Sequence, residues 1–241
     1  MNSKLTLIDR CREIENKFPL PPSDWHKCHQ YYVAPKVMKK LKHAWTFGIG
    51  KDARHEGWIR HFNRNVIIQT YDPTHLSEQT IHNENWTIMH RDSNVGIEGK
   101  PKIKWFDWAY HPSSGSVNFY TLDAKKRCYS TLNYKPENVV HQYKVKSKNI
   151  KALLETQLIP DYIKFDLEGL WFEFIHDLLD NKLFVNQLVG EFEMYLGDEN
   201  QLFERLNIII QLMLDAGYIV YTNRKLHTEM IELAFVRKEF I

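Results

Sequence analysis

Apolar positions along this chain change period several times, and the changes mark its elements. Leu5, Ile8, Cys11 and Ile14 recur at helical spacing, so Ser3 to Phe18 reads as an amphipathic helix capped by Ser3. Three prolines between Pro19 and Pro22 end it. Residues 1–40 read as an N-terminal helical appendage packed on a main domain of residues 41–241. The pattern then alternates. His43 to Gly50 is a short buried strand running into a glycine turn, and residues 53–63 are helical. Asn65 to Thr74 is a β-branched strand that stops at Asp72-Pro73, and a helix follows from Thr74 to His82. Lys102 to Tyr110 reads as a third strand. Ser116 to Leu122 and Asn138 to Val145 read as further strands, a local hairpin or edge pair.

Ser147 is the expected cap of a short helix. Asp161 to Gly169 reads as a strand ending in acids and a glycine. Leu170 to Asp180 is helical, with Trp171, Phe174 and Leu178 on its apolar side. Leu183 to Met194 is another strand with acids at its end. Asp198 caps a long helix through Ala216 that buries Leu202, Leu206, Ile209, Ile210, Met213 and Leu214, and Gly217 stands where a helix-ending glycine belongs. Two final strands, Gly217 to Asn223 and Met230 to Val236, are too close in sequence for a parallel crossover and must be antiparallel. The predicted fold is α/β: a mostly parallel sheet with helices on both faces, closed by an antiparallel C-terminal hairpin.

Composition changes this picture little. The 241 residues carry 32 Lys and Arg against 30 Asp and Glu, a net charge of +2, which argues against a strongly basic nucleic-acid domain. Seven Trp, twelve Tyr and thirteen Phe supply material for a sizeable core. No apolar run reaches membrane-spanning length, and charges interrupt the first residues where a secretory signal needs an unbroken apolar stretch. Cys11, Cys28 and Cys128 are few and widely spaced, and the default setting is reducing and cytoplasmic. No metal-binding Cys or His motif occurs among the twelve histidines. His111, after the third strand, is the histidine best placed to reach a pocket mouth. The Lys144, Lys146, Lys148 stretch reads as a solvated face, and most of Trp105, Phe106, Trp108 and Tyr110 as core.

Three groups of residues carry candidate chemistry. Gly48-Ile49-Gly50-Lys51-Asp52 lies between a strand and a helix, where glycine lets a ligand approach the backbone. Asp72 ends the next strand, 22 residues beyond Gly50, and is placed to accept hydrogen bonds from a ribose. Asp52 and Glu56, four apart, share one face at the helix start and favour a cationic ligand over a phosphate. A ligand with both a ribose and a positive centre fits, and S-adenosylmethionine has both. In the second group, Asp166 and Glu168 converge if the strand continues through them. Two such carboxylates can bind a cation, hold hydroxyls, or raise one another's pKa so that one serves as a base. Glu191 and Glu193 form the third group, at the end of the fifth core strand.

These residues resemble the FkbM-like group of class I S-adenosylmethionine-dependent methyltransferases. The likeness rests on Phe47-Gly48-Ile49-Gly50-Lys51-Asp52 with Glu56, on Tyr71-Asp72-Pro73-Thr74, on Ile163 through Gly169, and on Gln187 through Glu193. It implies a Rossmann-like seven-stranded sheet whose last strand is antiparallel. It also implies that Phe47, Gly48, Gly50, Asp52 and Glu56 line the cofactor site, that Asp72 holds the ribose, and that Asp107 approaches the adenine. Asp166 and Glu168 would stand beside the transferred methyl group, with Glu191 and Glu193 near them. The chain departs from the family pattern at Thr46, Asp52 and Glu193, where an acid, a third glycine and a histidine are usual. The expected activity is O-methylation of a small hydroxylated molecule such as a sugar. The alternatives are a nicotinamide-type oxidoreductase, a non-catalytic binding module of the same fold, and a nucleic-acid methyltransferase. The acceptor pocket is expected to draw on loops and on the N-terminal appendage.

Overall fold

A computed structural model describes residues 5–50, 52–94, 103–122, 129–130, 139–223 and 228–241. Ser3, Lys51 and Cys128, the ends of the predicted strands at Lys102 and Asn138, and part of the loop after Asn223 lie outside the described residues. In chain order the elements are α1 (Leu7–Glu15), β1 (His26–Cys28), β2 (Tyr31–Val33), α2 (Pro35–Lys40), β3 (His43–Phe47), α3 (Arg54–Phe62), β4 (Ile67–Tyr71) and α4 (His75–Asn94). There follow β5 (Ile103–Phe106), β6 (Trp108–Tyr110), β7 (Gly115–Leu122), β8 (Tyr129–Ser130), β9 (Val139–Lys148), α5 (Ile150–Leu154), β10 (Tyr162–Phe165), α6 (Trp171–Asp180), β11 (Gln187–Glu193), α7 (Glu199–Asp215), β12 (Tyr218–Thr222) and β13 (Met230–Arg237).

Seven strands form the main sheet in the order β12-β13-β11-β10-β3-β4-β5. Pairing is parallel from β11 to β5, while β13 runs antiparallel to both β11 and β12. The expected sheet, with its antiparallel last strand, is therefore present. Strand alternation divides its side chains between two cores. Trp45, Phe47, Ile163, Phe165, Leu188 and Phe192 pack with α6 and α7 on one face. Ala44, Tyr162, Val189 and Ala234 pack with α2, α3 and the β1–β2 hairpin on the other. Chain order reverses between β3 and β10, so a crevice opens there at the carboxyl ends of the strands.

Several expectations are corrected in detail. Thr6 caps α1 in a reciprocal box with Asp9, and of the four apolar positions only Cys11 and Ile14 are buried. The first 40 residues are not purely helical: His26–Cys28 and Tyr31–Val33 pair as an antiparallel hairpin. Cys11 and Ile14 join one core, and Trp25, Cys28 and Tyr31 join the other, so this segment is built into the domain. α4 runs well past His82 to Asn94, because its polar sequence carries no apolar stripe to mark its length. The third strand breaks at Asp107: β5 stays in the main sheet, while β6 joins a second sheet of order β6-β9-β7-β8. Asn149, not Ser147, caps α5, its side chain accepting from the Ala152 amide, and Ser147 belongs to β9. On α7, capped by Asp198, Leu214 is exposed while the other predicted apolar positions are buried.

Candidate active site

The turn after β3 is shaped by two glycines in left-handed backbone, Gly48 at φ +69° and Gly50 at φ +55°. A Cβ at Gly48 would lie 2.1 Å from the Asp166 carbonyl oxygen, so glycine is required for the β3 and β10 turns to pack. Around Gly50 a Cβ would meet nothing within 4 Å, which leaves its backbone approachable. Asp72 fixes the loop. Its Oδ2 accepts from the amides of Ile49 at 2.7 Å and Gly50 at 2.9 Å, and its Oδ1 accepts from Thr74 at 2.9 Å. The carboxylate is buried and is the anchor that gives the glycine turn its shape.

Beside this turn lies a cavity of about 240 Å³ lined by His29, Gln30, Tyr31, Gly48, Ile49, Asp52, His55, Glu56, Lys164, Asp166 and Glu191. Acids dominate it. Glu56, in the first turn of α3, is only 1% exposed, and neither carboxyl oxygen accepts a hydrogen bond of ordinary geometry, the Thr46 hydroxyl acting on it weakly. Burial holds its pKa above the ordinary range, and the Lys164 charge only partly offsets this. Asp52 is held at about 2, chiefly by the Arg54 side chain, whose Nε donates to its Oδ1 at 2.9 Å. His29 Nε2 stands 3.2 Å from Asp52 Oδ2.

Lys164 is the buried cation of the site. Its Nζ donates to the carbonyls of Phe47 at 3.2 Å and Gly48 at 2.5 Å, and lies 3.9 Å from Asp166 Oδ2. Asp166 is raised to about 7 by burial and by Glu191, and Glu168 to about 8 by burial, Asp166 and Glu191. These carboxyls titrate as a set. Glu193 is 1% exposed and is pushed well above the carboxylate range by burial and then by Asp166. Its Oε2 accepts from the Gly169 amide at 3.0 Å, while Oε1 has no partner. β10 ends at Phe165, so Asp166 and Glu168 are not brought together by strand parity. A turn with Glu168 at φ +47° and Gly169 at φ +93° does it instead.

The N-terminal hairpin forms one wall. Gln30 Nε2 and the Tyr31 hydroxyl donate to Glu191 Oε1 at 3.1 and 2.8 Å. The hairpin is pinned from behind. Asn223 Nδ2 donates to the Gln30 carbonyl at 2.7 Å, and Gln187 Oε1 accepts from the Ala34 amide at 2.9 Å. His55 ties it to α3. Its Nδ1 lies 2.9 Å from the Cys28 carbonyl, which can only accept, so Nδ1 carries the proton and Nε2 accepts from the Tyr162 hydroxyl at 3.0 Å. Burial holds His55 neutral, with a pKa of about 3.

Of the residues singled out in the sequence, Gly48, Asp52, Glu56, Asp166 and Glu191 share the cavity wall. Phe47 is core, stacked on Tyr71 at 4.9 Å, and reaches the site through its carbonyl. Asp107 is exposed on the break between the sheets, 3.5 Å from Lys146. His111 does not line the cavity: it is half-buried beyond β6, its ring accepting from the Ser113 amide at 3.1 Å. Phe106 stacks against both Tyr71 and Trp108, which also contact each other, and Lys148 lies over the Trp108 ring at 3.8 Å. Sequence reasoning missed His29, Gln30, Tyr31, His55 and Lys164. Lys164 carried a signal: a cation inside an otherwise apolar strand needs a partner.

No protein-family model matches the sequence, and no curated protein matches it. Solved structures do match. Methyltransferase FkbM from Methylobacillus flagellatus KT is 11% identical with a TM-score of 0.53, over 93% of this chain and 50% of that one, so the chain spans half the length of that protein. Precorrin-6y C5,15-methyltransferase from Geobacter metallireducens GS-15 is 12% identical with a TM-score of 0.45, covering 93% and 96% of the two chains. SAH-bound methyltransferase PaMTH1 from Podospora anserina is 11% identical with a TM-score of 0.43, covering 98% and 91%. The chain thus has the Rossmann-like fold seen in methyltransferases. Among the described residues, no helix is long and apolar enough to cross a membrane.

Proposed function

We propose that this chain is an S-adenosylmethionine-dependent methyltransferase that methylates an oxygen of a small hydroxylated acceptor, a sugar being one candidate. One observation carries the reading. Glu56 is a buried carboxylate with no hydrogen bond of ordinary geometry and no paired cation in contact, facing a cavity at the glycine turn of a sheet whose last strand is antiparallel. A buried unpaired acid calls for a cation. The fold shared with the FkbM structure supports the same reading.

The residues present fit the cofactor. Glu56 and Asp52 would face its ammonium group, Gly50 leaves open backbone beside it, and Asp72 shapes the loop and would face the ribose. The cavity is smaller than the ~300–1,000 Å³ of typical ligand sites. It therefore suits the charged tail of the cofactor, with the nucleoside lying outward past Gly50. When bound, S-adenosylmethionine supplies an electrophilic methyl group on a sulfonium. The chain's part is positioning and proton transfer. Asp166 and Glu168, held near 7 and 8, are suited to accept the acceptor hydroxyl's proton near neutral pH. Lys164, fixed by two carbonyls, balances part of the acid charge.

Isothermal titration tests the proposal. We expect S-adenosylmethionine or its demethylated product to bind, and Asp72→Ala to weaken binding at least tenfold, because the amides of Ile49, Gly50 and Thr74 lose their acceptor. Absence of heat or thermal shift with either compound overturns it.

A further inference from the structure

We propose that the outer face of α3 is a docking surface for single-stranded nucleic acid. The chain's net charge of +2 conceals an uneven distribution. Residues 26–65 carry nine Lys and Arg against two acids, while the rest of the chain carries 23 against 28. Those two acids, Asp52 and Glu56, both face the cavity. The cations of the segment stand mostly at the surface, Lys39, Lys42, Arg54 and Arg64 among them. Exposed acids belong to neighbouring segments, Asp24 before β1 and Glu78 on α4. A local excess of this kind attracts a polyanion where the chain as a whole does not.

Charge alone does not choose the partner, and the second observation is a row of exposed rings. Ile59 of α3 lies in the core, and a Cβ at Gly57 would strike Glu84 of α4. Arg54, Trp58, His61 and Phe62 are what the helix turns to solvent. Trp58 and Phe62, one turn apart, are 43% and 40% exposed, and their ring planes are 28° apart with centroids at 5.8 Å. His26 of β1 lies 4.7 Å from the Phe62 ring, and His61 stands edge-on to both rings at 5.3 Å. Rings that pack on one another are already oriented, so little freedom is lost when a flat partner stacks on them. Unpaired bases are such partners, because every base has a π-face. More than half of each ring is already covered, which leaves little apolar surface to enter a bilayer.

Cations flank the rings along the helix. Arg54 stands one turn before Trp58, at the cavity end, with its side chain 64% exposed. At the other end Asn63 Nδ2 donates to the carbonyls of Met38 and Leu41 at 3.0 and 2.8 Å. These bonds bring the segment of Lys39 and Lys42 to the end of α3, where Arg64 follows. Among the described residues, none of Lys39, Lys42 and Arg64 forms an ion pair, so all three can meet phosphates. Lys36 and Lys40 are engaged with the chain's end: Lys36 bonds the Ile241 carbonyl, and Lys40 lies over the Phe240 ring at 5.0 Å. A strand along α3 would thus keep its bases on the rings and its phosphates on the cations beyond them. This surface does not rest on the methyl-transfer reading.

The test is fluorescence anisotropy of a labelled oligouridylate of ~12 nucleotides titrated with the full chain. We expect binding at ~50 mM salt that weakens as salt rises, with a log–log slope near about −2, since each of three neutralised phosphates contributes ~−0.7. Trp58→Ala should weaken binding about tenfold and leave that slope unchanged, because stacking carries no charge, and Trp58→Tyr should restore most of the loss. Replacing Lys39, Lys42 and Arg64 together by glutamine should flatten the slope toward zero. All these side chains are exposed, and thermal melts show that each variant folds. No binding at ~50 mM salt, or equal affinity in folded Trp58→Ala, overturns the surface. So does a duplex bound as tightly as the single strand, or retention of the chain by anionic phospholipid vesicles and not by the oligonucleotide. Oligonucleotide binding by a chain that ignores S-adenosylmethionine would leave the surface in place and remove the methyl-transfer reading.

Discussion

Replacing Glu56 by glutamine should move stability and cofactor affinity in opposite directions. In the native chain the carboxylate is buried, has no hydrogen bond of ordinary geometry, and feels Lys164 only as a charge already given to the carbonyls of Phe47 and Gly48. A buried unsatisfied polar group costs ~1–3 kcal/mol, more when charged. Glutamine keeps the shape without the charge, so a gain of about 1–2 kcal/mol at neutral pH is expected. For a domain of this size that raises Tm by roughly 2–8 °C. The pH dependence gives the sign a second check. Burial raises the native pKa of Glu56, so the folded state binds its proton more tightly than the unfolded chain. Its destabilising effect is full above the native pKa and fades as pH falls toward the unfolded value near 4.5. The advantage of Glu56→Gln must therefore shrink on acidification. Affinity for S-adenosylmethionine should fall about 10- to 100-fold, the equivalent of one charge-assisted hydrogen bond of ~1.5–3 kcal/mol. Urea unfolding at pH 7.5 and pH 5, with titration calorimetry on the same preparations, measures both. A variant that is less stable than the parent at pH 7.5, or that binds the cofactor unchanged, refutes the reasoning.

Gly190→Ala tests the packing beneath the site. Its Cβ would fall 2.2 Å from the ring of Phe165, which is fully buried and paired with Gly190 across β10 and β11. We expect a loss of ~1–3 kcal/mol from overpacking, measured by chemical denaturation; unchanged stability would mean that the ring has room to move. His55→Gln tests the buried imidazole. With a folded pKa of about 3 against 6.5, His55 is protonated first in the unfolded chain, so its share of stability is full above 6.5 and declines as pH falls toward 3. Glutamine can still donate to the Cys28 carbonyl and accept from Tyr162, so the variant should lose up to about 1.4 kcal/mol less per pH unit between 6 and 4.5. Parallel slopes for the two proteins would contradict a neutral, buried His55.

Local pattern and tertiary placement divide this protein cleanly. β3, β4, β10, β11 and the antiparallel β12–β13 pair are legible because burial on both faces makes them short, largely apolar runs, and the short connection between the last two forbids a parallel crossover. The turn at Gly48 and Gly50 is legible because few residues tolerate its backbone; Asp52 precedes the Ala53 cap of α3, so it shares the cavity wall with Glu56 through the turn and not through helical spacing. Other features rest on contacts between distant parts of the chain. Gln30 and Tyr31 reach Glu191 across about 160 residues, and Ala34 reaches Gln187 across 153, so no window of sequence contains the hairpin's role as a wall. Asp72 stands out in the sequence as the acid that ends its strand, yet its bonds to the glycine turn depend on how β3 and β4 lie side by side. The strand through Asp107 reads as continuous, and only the competition between two sheets for its halves breaks it. The chain's own pattern thus determined the sheet, the order of its strands' chemistry and the glycine turn, since these follow from local sterics and periodic burial. Folding alone decided which acids meet, which of their oxygens go unpartnered and which cation stands among them, because electrostatic neighbourhood is a property of three-dimensional distance.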